Sequence, residues 1–573
     1  METEETKPDV STEEAVTPTE SVSADAGDTA GEAVVAPKYK GFAGKLDKFF
    51  GISKAKSTFS TEIFAGLTTF LAMCYILTVN PTQILQDPSV AGLWPSVFLA
   101  TAFGALIGTL LMALFAKMPL AQAPGMGLNA ALGGIIGGGS IAVGKMSFGA
   151  AMLLVLISGV IFLILTVVPC GRDKATGRLI GIREKIFESI PAGLRVAIPV
   201  GIGLFIAFIG FQNAGIIVTN GFTQVDLVNF TNWGDQLIQW GGVDGEAGIW
   251  LGFLSNSGPA AITALVALVS LFSIAILSHF KVKGSVILGI LIATLFAMCF
   301  GNGVVVDFDI IAGKSGGITW KFWENFQNFF SFDTESGGTF GAAFHGIDFN
   351  GATFMFCAVT VLSFCMIDMF DTMGTVMGCC SNGDAGKVLL DENGKPVRFN
   401  RIMLSDAVAT CTGAMLGTST VTTFVESGTG VSAGGRTGMT ALTTALMFLL
   451  SIFVLPIFAF IPSSAAAGAL IYVGVLMMSQ VKNIDFHDLR VAVPAFLTII
   501  MMPLAYSITD GIGMGMIAYV LINIICYVVD VIKYAVVKGK NPEAAVKPKW
   551  PVSVVLGIIT IFFLLYFFLP SNV

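Results

Sequence analysis

Apolar stretches of about twenty residues follow one another along most of this chain, and each is long enough to cross the ~30 Å hydrocarbon core of a bilayer as a helix. Charged residues make up only 12% of the chain, against 54% hydrophobic residues, and a soluble surface needs roughly twice that charged share. The pattern predicts an all-α polytopic membrane protein. It excludes a soluble enzyme, a nucleic-acid-binding protein and a disordered scaffold. We predict fourteen membrane spans, at residues 60–81, 95–116, 119–137, 147–169, 193–214, 258–278, 284–301, 351–379, 402–417, 418–436, 439–460, 463–480, 492–508 and 511–533.

Lysine and arginine fall on alternate sides of this arrangement. They are dense before the first span and in the connection at 170–192, which includes Arg183, whereas 215–257 contains neither residue. Because cytosolic loops carry the excess of basic residues, we expect a cytosolic N-terminus and external loops at 215–257 and 302–350. A further apolar run covers 550–569, and the sequence leaves open whether it crosses the membrane or lies peripherally.

The formal net charge of −7 comes from the N-terminal segment. Residues 1–37 contain ten acidic residues against Lys7, so this segment carries −9 and the rest of the chain +2. The segment is also poor in aromatic residues, and such a composition cannot bury enough apolar surface to offset the entropy of ordering. We expect residues 1–41 to form a disordered acidic tail in the cytosol.

Two predicted spans do not have the composition of regular helices. The segment 119–131 places Pro124, Gly125 and Gly127 at membrane depth, and the segment 418–435 begins with a β-branched, strand-like run that leads into several glycines. Extended backbone persists there only where it is shielded from lipid and faces a cavity or site. The two segments are the third spans of two successive sets of seven, and an odd number of spans gives the sets opposite orientations. We therefore predict two inverted seven-span repeats, with short strands in spans 3 and 10 near a binding site.

Carboxylates inside predicted spans are costly and mark candidate functional positions. Span 8 contains Asp368 and Asp371, whose i, i+3 spacing places both near one helix face. Glu426 lies where the strand-like part of span 10 gives way to helix, next to free backbone N–H groups. For Asp368, a polar clamp to a neighbouring helix is an alternative. We expect Asp406, near the cytosolic boundary of span 9, and Asp510 to cap helices or tether interfaces.

Signatures of cofactor, metal or ATP sites are lacking, because the chain contains no HExxH, P-loop or CxxC motif. We expect no cofactor, no bound metal and no enzymatic activity. The three histidines fall in loops or at span edges, at His279, His345 and His487. A proton that crosses the bilayer would therefore have to use carboxyl groups, whose neutral form is favoured by burial.

Three motifs, in this order along the chain, resemble those of one family. Ala123-Pro-Gly-Met-Gly-Leu-Asn-Ala130, Phe370-Asp-Thr-Met-Gly374 and Glu426-Ser-Gly-Thr-Gly430 together resemble the AzgA-like purine nucleobase permease branch of the nucleobase:cation symporter superfamily. The resemblance extends from about residue 42 to the C-terminus. It implies the fold of the uracil/proton symporter, in which a core domain rocks against a gate domain. Carried over, the parts are core spans 1–4 at 42–169, gate spans 5–7 at 170–301, an external loop at 302–350, core spans 8–11 at 351–460, and gate spans 12–14 with the terminal apolar segment at 461–573.

The resemblance also implies where substrate binds, between the short strands of spans 3 and 10. Asp371 and Glu426 match the family's two acidic substrate-binding positions, and Gly127 and Asn129 match positions of the span-3 motif tied to substrate handling. The implied substrate-binding set is Asp371, Glu426, Gly125, Met126, Gly127, Asn129, Phe424, Val425, Ser427 and Thr375, and the candidates for the coupling proton are Glu426, Asp371 and Asp368.

The chemistry of a purine base agrees with these residues. The base has N–H donors and N or O acceptors along its edges, so carboxylates can accept hydrogen bonds from it and backbone N–H groups at the breaks can donate to it. Phe370 or Phe424 can stack on the ring, with a plain core position as the alternative for either.

These expectations describe a proton-coupled importer of purine nucleobases that works by alternating access in the cell membrane. The expected partners are the base, a proton and the lipid bilayer, without nucleic acid, and the sequence leaves open a homodimer. Two alternatives share the fold: a uracil or xanthine carrier, and an anion transporter or channel. A carboxylate at the span-10 break would repel an anion, which argues against the second alternative.

Overall fold

The computed structural model describes residues 40–137, 146–172, 179–220, 224–228, 259–282, 284–300, 305–306, 308–311, 320–331, 337–349, 354–380, 389–390, 396–540 and 547–568. The predicted acidic tail at 1–41 lies almost entirely outside these residues, and so does most of the predicted external loop at 215–257.

Helices account for most of the described structure. Up to residue 300 the elements are α1 (Gly41–Phe50), α2 (Phe59–Met73), α3 (Ile76–Ile84), α4 (Trp94–Leu111), β1 (Gln122–Pro124), α5 (Met126–Gly137), α6 (Phe148–Val167), β2 (Pro169–Arg172), β3 (Leu179–Gly181), α7 (Ile182–Ser189), α8 (Ala192–Asn213), β4 (Ile217–Asn220), β5 (Gln224–Leu227), α9 (Pro259–His279) and α10 (Ser285–Met298). The later elements are α11 (Phe308–Ile311), α12 (Phe322–Phe329), α13 (Phe354–Cys380), α14 (Phe399–Leu416), β6 (Val421–Thr423), α15 (Ser427–Ser432), α16 (Gly438–Ser451), α17 (Leu455–Ala459), α18 (Ser463–Met478), α19 (Leu489–Leu504), α20 (Ile508–Lys540) and α21 (Val554–Phe568).

Membrane-spanning character is clear for much of this helical structure. Within the described residues, nine helical segments are long and apolar enough to cross a bilayer, and four shorter apolar helices accompany them. The predicted polytopic, mainly helical fold class is therefore confirmed, while the count of fourteen spans stays a prediction. In the 550–569 run, α21 is helical and packs against α20.

The helices pack in two main sets. In one set α2 packs against α16, and α14 lies between α4 and α6. In the other set α18 packs against α8 and α9, and α19 packs against α20. Helix α13 contacts members of both sets, which places it at their boundary.

The strands β1 and β6 lie buried between these helices and pair antiparallel, with Ala123 opposite Thr422. The pairing continues past the strand ends, because the Gly125 N–H donates to the Thr420 carbonyl at 2.9 Å and the Phe424 N–H donates to the Ala121 carbonyl at 3.0 Å. Paired in this way, extended backbone at membrane depth has most of its polar groups satisfied.

Glycines on the neighbouring helices let the strands approach closely. A Cβ atom at Gly108 of α4 would lie 2.8 Å from the Val421 side chain, and one at Gly413 of α14 would lie 2.6 Å from it. Thr109 satisfies the backbone of β1 at its unpaired edge. Its hydroxyl donates to the Gln122 carbonyl at 2.9 Å and accepts from the Gln122 N–H at 3.0 Å.

Candidate functional site between two interrupted helices

A small cavity of about 30 Å³ lies where the two interrupted segments face α13, α8 and α18. Seven of the ten predicted substrate residues line it: Met126, Gly127, Asp371, Thr375, Phe424, Val425 and Glu426. Thr423 and four apolar side chains complete the wall, and the apolar four come from α8 (Ile202 and Ile206) and α18 (Val473 and Met477). The cavity thus has carboxylates on one side and an apolar face on the other.

Glu426 is held at the start of α15 by a residue that sequence reasoning missed. The Tyr75 hydroxyl donates to Glu426 Oε1 at 2.6 Å, and both side chains are buried. Glu426 Oε2 is also buried, and no described residue forms a hydrogen bond with it. One oxygen of this carboxylate is therefore fixed and the other remains available for a further donor.

Asp371 faces the cavity from α13 and lies beside the span-3 break. A Cβ atom added at Gly125 would lie 3.7 Å from Asp371 Oδ2 and 2.7 Å from the Thr422 side chain. A side chain at this position would force the strand pair apart, so the absence of a Cβ keeps the break close to the carboxylate. The predicted stacking residue Phe424 lines the same cavity, whereas Phe370 does not and lies in the apolar core.

The other three predicted substrate residues hold the breaks together and do not line the cavity. The Gly125 N–H donates a hydrogen bond to the Thr420 carbonyl. Asn129 is buried and its Oδ1 accepts a hydrogen bond from the Ser419 hydroxyl. The Ser427 hydroxyl accepts from the Ala121 N–H at 3.0 Å. These contacts join the two interrupted segments on both sides of the strand pair.

A buried ion pair is hydrogen-bonded to Thr372, the residue that follows Asp371 in α13. Arg183 on α7 contacts Asp406 Oδ2 on α14 at 3.3 Å, and the two side chains are 2% and 0% exposed. The Thr372 hydroxyl donates to Asp406 Oδ1 at 2.7 Å, and Gln122 Nε2 donates to the same oxygen at 3.1 Å. Asp406 therefore connects α7, α13 and β1 through a single carboxylate.

One sequence expectation is met here and another changes. Asp406 tethers elements together, as expected, and its side chain is fully buried. Arg183, counted among the basic residues of the 170–192 connection, is not a loop charge, because its guanidinium is buried over the Phe162 ring at 3.7 Å. The signal that points to such a pair is an aspartate inside a predicted span, since a buried carboxylate needs a cation or several donors.

Asp368 lies deeper in the protein than Asp371. Its Oδ2 accepts a hydrogen bond from the Thr410 hydroxyl of α14 at 2.9 Å, its side chain is 1% exposed, and it does not line the cavity. This geometry matches the clamp alternative, because the carboxylate joins α13 to α14.

A larger cavity of about 1230 Å³ reaches Val425 and Glu426 from one side of the protein. Its wall also contains Lys281 and Lys482, which belong to connections on the basic, cytosolic side of the predicted topology. Val425 and Glu426 line both cavities. The span-10 break is therefore accessible from that side and forms a wall that the two cavities share.

The bundle of long apolar helices, with polar groups concentrated at two interrupted segments, defines a multi-pass membrane protein with a central polar site. The chain belongs to the permease family, whose sequence model matches residues 60–233 and 237–514. This match confirms the family resemblance read from the three motifs.

The chain is similar to two named relatives and, more distantly, to one solved structure. Adenine permease AdeP of Escherichia coli (strain K12) is 35% identical over 491 residues, covering 84% of this chain and 91% of AdeP. Guanine/hypoxanthine permease PbuG of Bacillus subtilis (strain 168) is 35% identical over 531 residues, covering 91% of this chain and 100% of PbuG. The transmembrane domain of the cyanobacterial bicarbonate transporter BicA aligns with a TM-score of 0.47 and 15% identity, covering 79% of this chain and 96% of that domain.

Proposed function

We propose that this permease imports purine nucleobases (adenine, guanine or hypoxanthine) by proton symport and does not catalyse a reaction. The observation that carries the proposal is the placement of two carboxylates, Asp371 and Glu426, on one small cavity between two interrupted helices. AdeP is an adenine permease and PbuG a guanine/hypoxanthine permease, and their similarity over most of the chain supports the substrate class. We place the protein in the cell membrane with a cytosolic N-terminus.

The cavity wall suits a flat, heterocyclic base. Asp371 and Glu426 can accept hydrogen bonds from ring or exocyclic N–H groups, and the Thr375 hydroxyl can donate or accept. Phe424 and the apolar side chains opposite, such as Ile202, offer surfaces for the ring faces. A site that pairs the polar edge of its substrate rejects analogues that lack a matching group, because buried polar atoms are then left unpaired.

The size of the cavity supports alternating access. A volume of about 30 Å³ holds one or two water molecules, which is less than a bicyclic ring needs. Binding would therefore require Val473 and Met477 of α18 to move away from the interrupted segments. The large cavity, which is also lined by Glu426, provides the path to the basic, cytosolic face in this scheme.

Proton coupling is proposed to use one of the three acidic candidates, Asp371, Glu426 or Asp368. The first two face the cavity, where protonation would change the hydrogen bonds offered to the base. Asp368 lies behind them with one oxygen free of described partners, and it would act through α13. Accumulation of base against its gradient should stop when the pH gradient is collapsed, whereas unchanged accumulation would exclude proton coupling.

The direct test is uptake of radiolabelled hypoxanthine, adenine and guanine into cells that lack their own purine permeases. Asp371→Asn and Glu426→Gln should each reduce uptake at least about tenfold, since hydrogen bonds to charged groups contribute about 1.5–3 kcal/mol. Asp530→Asn, in an exposed ion pair, serves as the matched control and should transport normally. Near-normal uptake by either cavity variant would refute the site.

Competition distinguishes the substrate classes. Unlabelled adenine, guanine and hypoxanthine should suppress uptake of labelled hypoxanthine, and xanthine and uracil should do so weakly. Strong competition by uracil or xanthine, together with direct uptake of either, would assign the protein to the alternative carrier class of the same fold.

A further inference from the structure

Tyr75 lies where the first apolar helix is interrupted between α2 and α3. Its side chain is 1% exposed. Its hydroxyl lies 2.6 Å from Glu426 Oε1 and 3.5 Å from Met126 Sδ. A buried tyrosine hydroxyl requires a polar partner, and here it meets residues from both interrupted segments. Three breaks in helical structure therefore converge on this one hydroxyl group.

The hydroxyl has a single proton, so only one of the two neighbours can accept it fully. A carboxylate is a much stronger acceptor than a thioether, and the distance to Glu426 is also the shorter one. The proton therefore belongs to the bond with Glu426 Oε1, while Met126 packs against the oxygen. This bond fixes which carboxylate oxygen is occupied and leaves Oε2 without a described partner.

We propose that Tyr75 is a positioning residue that holds Glu426 so that Oε2 is presented to an N–H group of the bound nucleobase. The inference rests on the proposed function, because it assigns a role to a residue behind the same cavity. Tyr75 does not line that cavity, so it acts through Glu426 without touching the substrate. The terminal torsion of a glutamate is broad, so loss of the hydroxyl would let the carboxylate plane rotate away from the orientation that directs its free oxygen at the base.

Loss of the Tyr75 hydroxyl should lower the affinity for the base, which can be measured. In a protein without the hydroxyl, the Glu426 contact with the base loses its alignment, while the ring of the residue at position 75 still fills its space. We expect the dissociation constant for the base to rise about tenfold to a hundredfold, the range that corresponds to one hydrogen bond to a charged group.

The test measures equilibrium binding of radiolabelled hypoxanthine, adenine and guanine to the purified full-length protein. Tyr75→Phe should weaken binding by the stated factor while the protein stays folded, with a melting temperature without ligand only about 1–3 °C lower, because a single hydrogen bond is lost. Tyr519→Phe, in a partly buried tyrosine of α20 that does not line the cavity, should bind normally. Wild-type affinity in folded Tyr75→Phe would overturn the inference.

Two isosteric replacements at position 75 separate hydrogen bonding from packing. They also test the role of the hydroxyl if Tyr75→Phe does not fold. 4-Aminophenylalanine keeps a donor at the position of the hydroxyl, and 4-methylphenylalanine has the same shape without a donor. The amino form should retain affinity and the methyl form should lose it. Equal affinity in the two forms would show that the hydroxyl only fills space.

The same experiment separates failure of this inference from failure of the proposed function. If the wild-type protein binds none of the purine bases, the proposed function fails and the role of Tyr75 fails with it. If the wild type binds them and the forms with and without a donor are equal, only the role of Tyr75 is refuted.

Discussion

Removal of one partner of the buried ion pair between Arg183 and Asp406 should destabilise this permease strongly. Arg183→Met keeps a long apolar side chain over Phe162 but leaves the Asp406 carboxylate buried without a cation. The carboxylate would keep hydrogen bonds from Thr372 and Gln122, which offset only part of the loss. The reverse change, Asp406→Asn, leaves the buried Arg183 guanidinium without its hydrogen-bonded carboxylate partner.

The size of the effect follows from the burial of the pair, since both side chains are at most 2% exposed. Breaking a buried pair by removing one partner costs about 3–5 kcal/mol. With an unfolding entropy of about 2 cal/mol/K per residue, a chain of this size has roughly 1 kcal/mol/K, so the melting temperature should fall by about 3–5 °C. The double variant Arg183→Met with Asp406→Asn removes both charges, so its loss should be smaller than the sum of the single losses.

The assay is thermal unfolding of detergent-solubilised protein, followed as the monodisperse fraction that survives heating. Asp530→Asn provides the matched control, because its ion pair with Arg490 is similarly short at 3.0 Å but lies 32% and 45% exposed. Exposed pairs contribute little to stability, so this control should melt like the wild type. Wild-type melting of Arg183→Met, or strictly additive losses in the double variant, would refute the reasoning.

Two further predictions concern close packing and capping. Gly133→Ala should lower stability by about 1–3 kcal/mol, because its Cβ would lie 2.0 Å from the Gln83 carbonyl oxygen. Gly134→Ala has open space around the added Cβ and should be neutral or slightly stabilising in the same melting assay. Equal melting temperatures of the two variants would contradict this prediction. Glu62→Ala should cost about 2–3 kcal/mol, because its carboxylate accepts hydrogen bonds from the Thr437 N–H and hydroxyl at the start of α16. Glu62→Gln keeps one oxygen and should lose less, and a harmless Glu62→Ala would show that the cap is dispensable.

The architecture was predictable from local sequence because the bilayer imposes a length and a composition. Apolar stretches near twenty residues predict helices wherever the chain crosses hydrocarbon. Proline and glycine at membrane depth, as in the 119–131 segment, mark the places where a helix is interrupted. In the structure this segment contains β1 followed by α5, and the 418–435 segment contains β6 followed by α15.

The partners of the buried charges were not predictable, because they lie far apart along the chain. Tyr75 and Glu426 are separated by 351 positions, and Arg183 and Asp406 by 223. A single sequence shows periodicity and local composition, but it does not show which distant residues meet. For this reason the sequence alone does not distinguish Tyr75 from the other aromatic residues of the apolar spans.

The candidate site shows a second reason why the sequence alone does not identify the binding residues. This reason is the hydrogen-bonding requirement of an interrupted helix. Interrupted backbone in a membrane needs polar side chains to satisfy the outer edges of its strands. Thr109 bonds both polar groups of the Gln122 backbone, and the Thr410 hydroxyl reaches the Val421 carbonyl at 3.3 Å. Such residues look like substrate ligands in the sequence, because they too are polar groups at membrane depth.

Polar residues around the breaks therefore perform two different tasks. Asn129 and Ser427 join the two interrupted segments, whereas Asp371 and Glu426 keep carboxylate oxygens facing the cavity. The division follows from hydrogen-bonding capacity: the Ser427 hydroxyl is occupied by the Ala121 backbone and has little left for a ligand, while a carboxylate with two oxygens can be fixed by one and bind with the other. Under the proposed function, substrate selection should thus depend on how the free oxygens are oriented, so we expect residues behind the cavity such as Tyr75 to influence recognition together with those that line it.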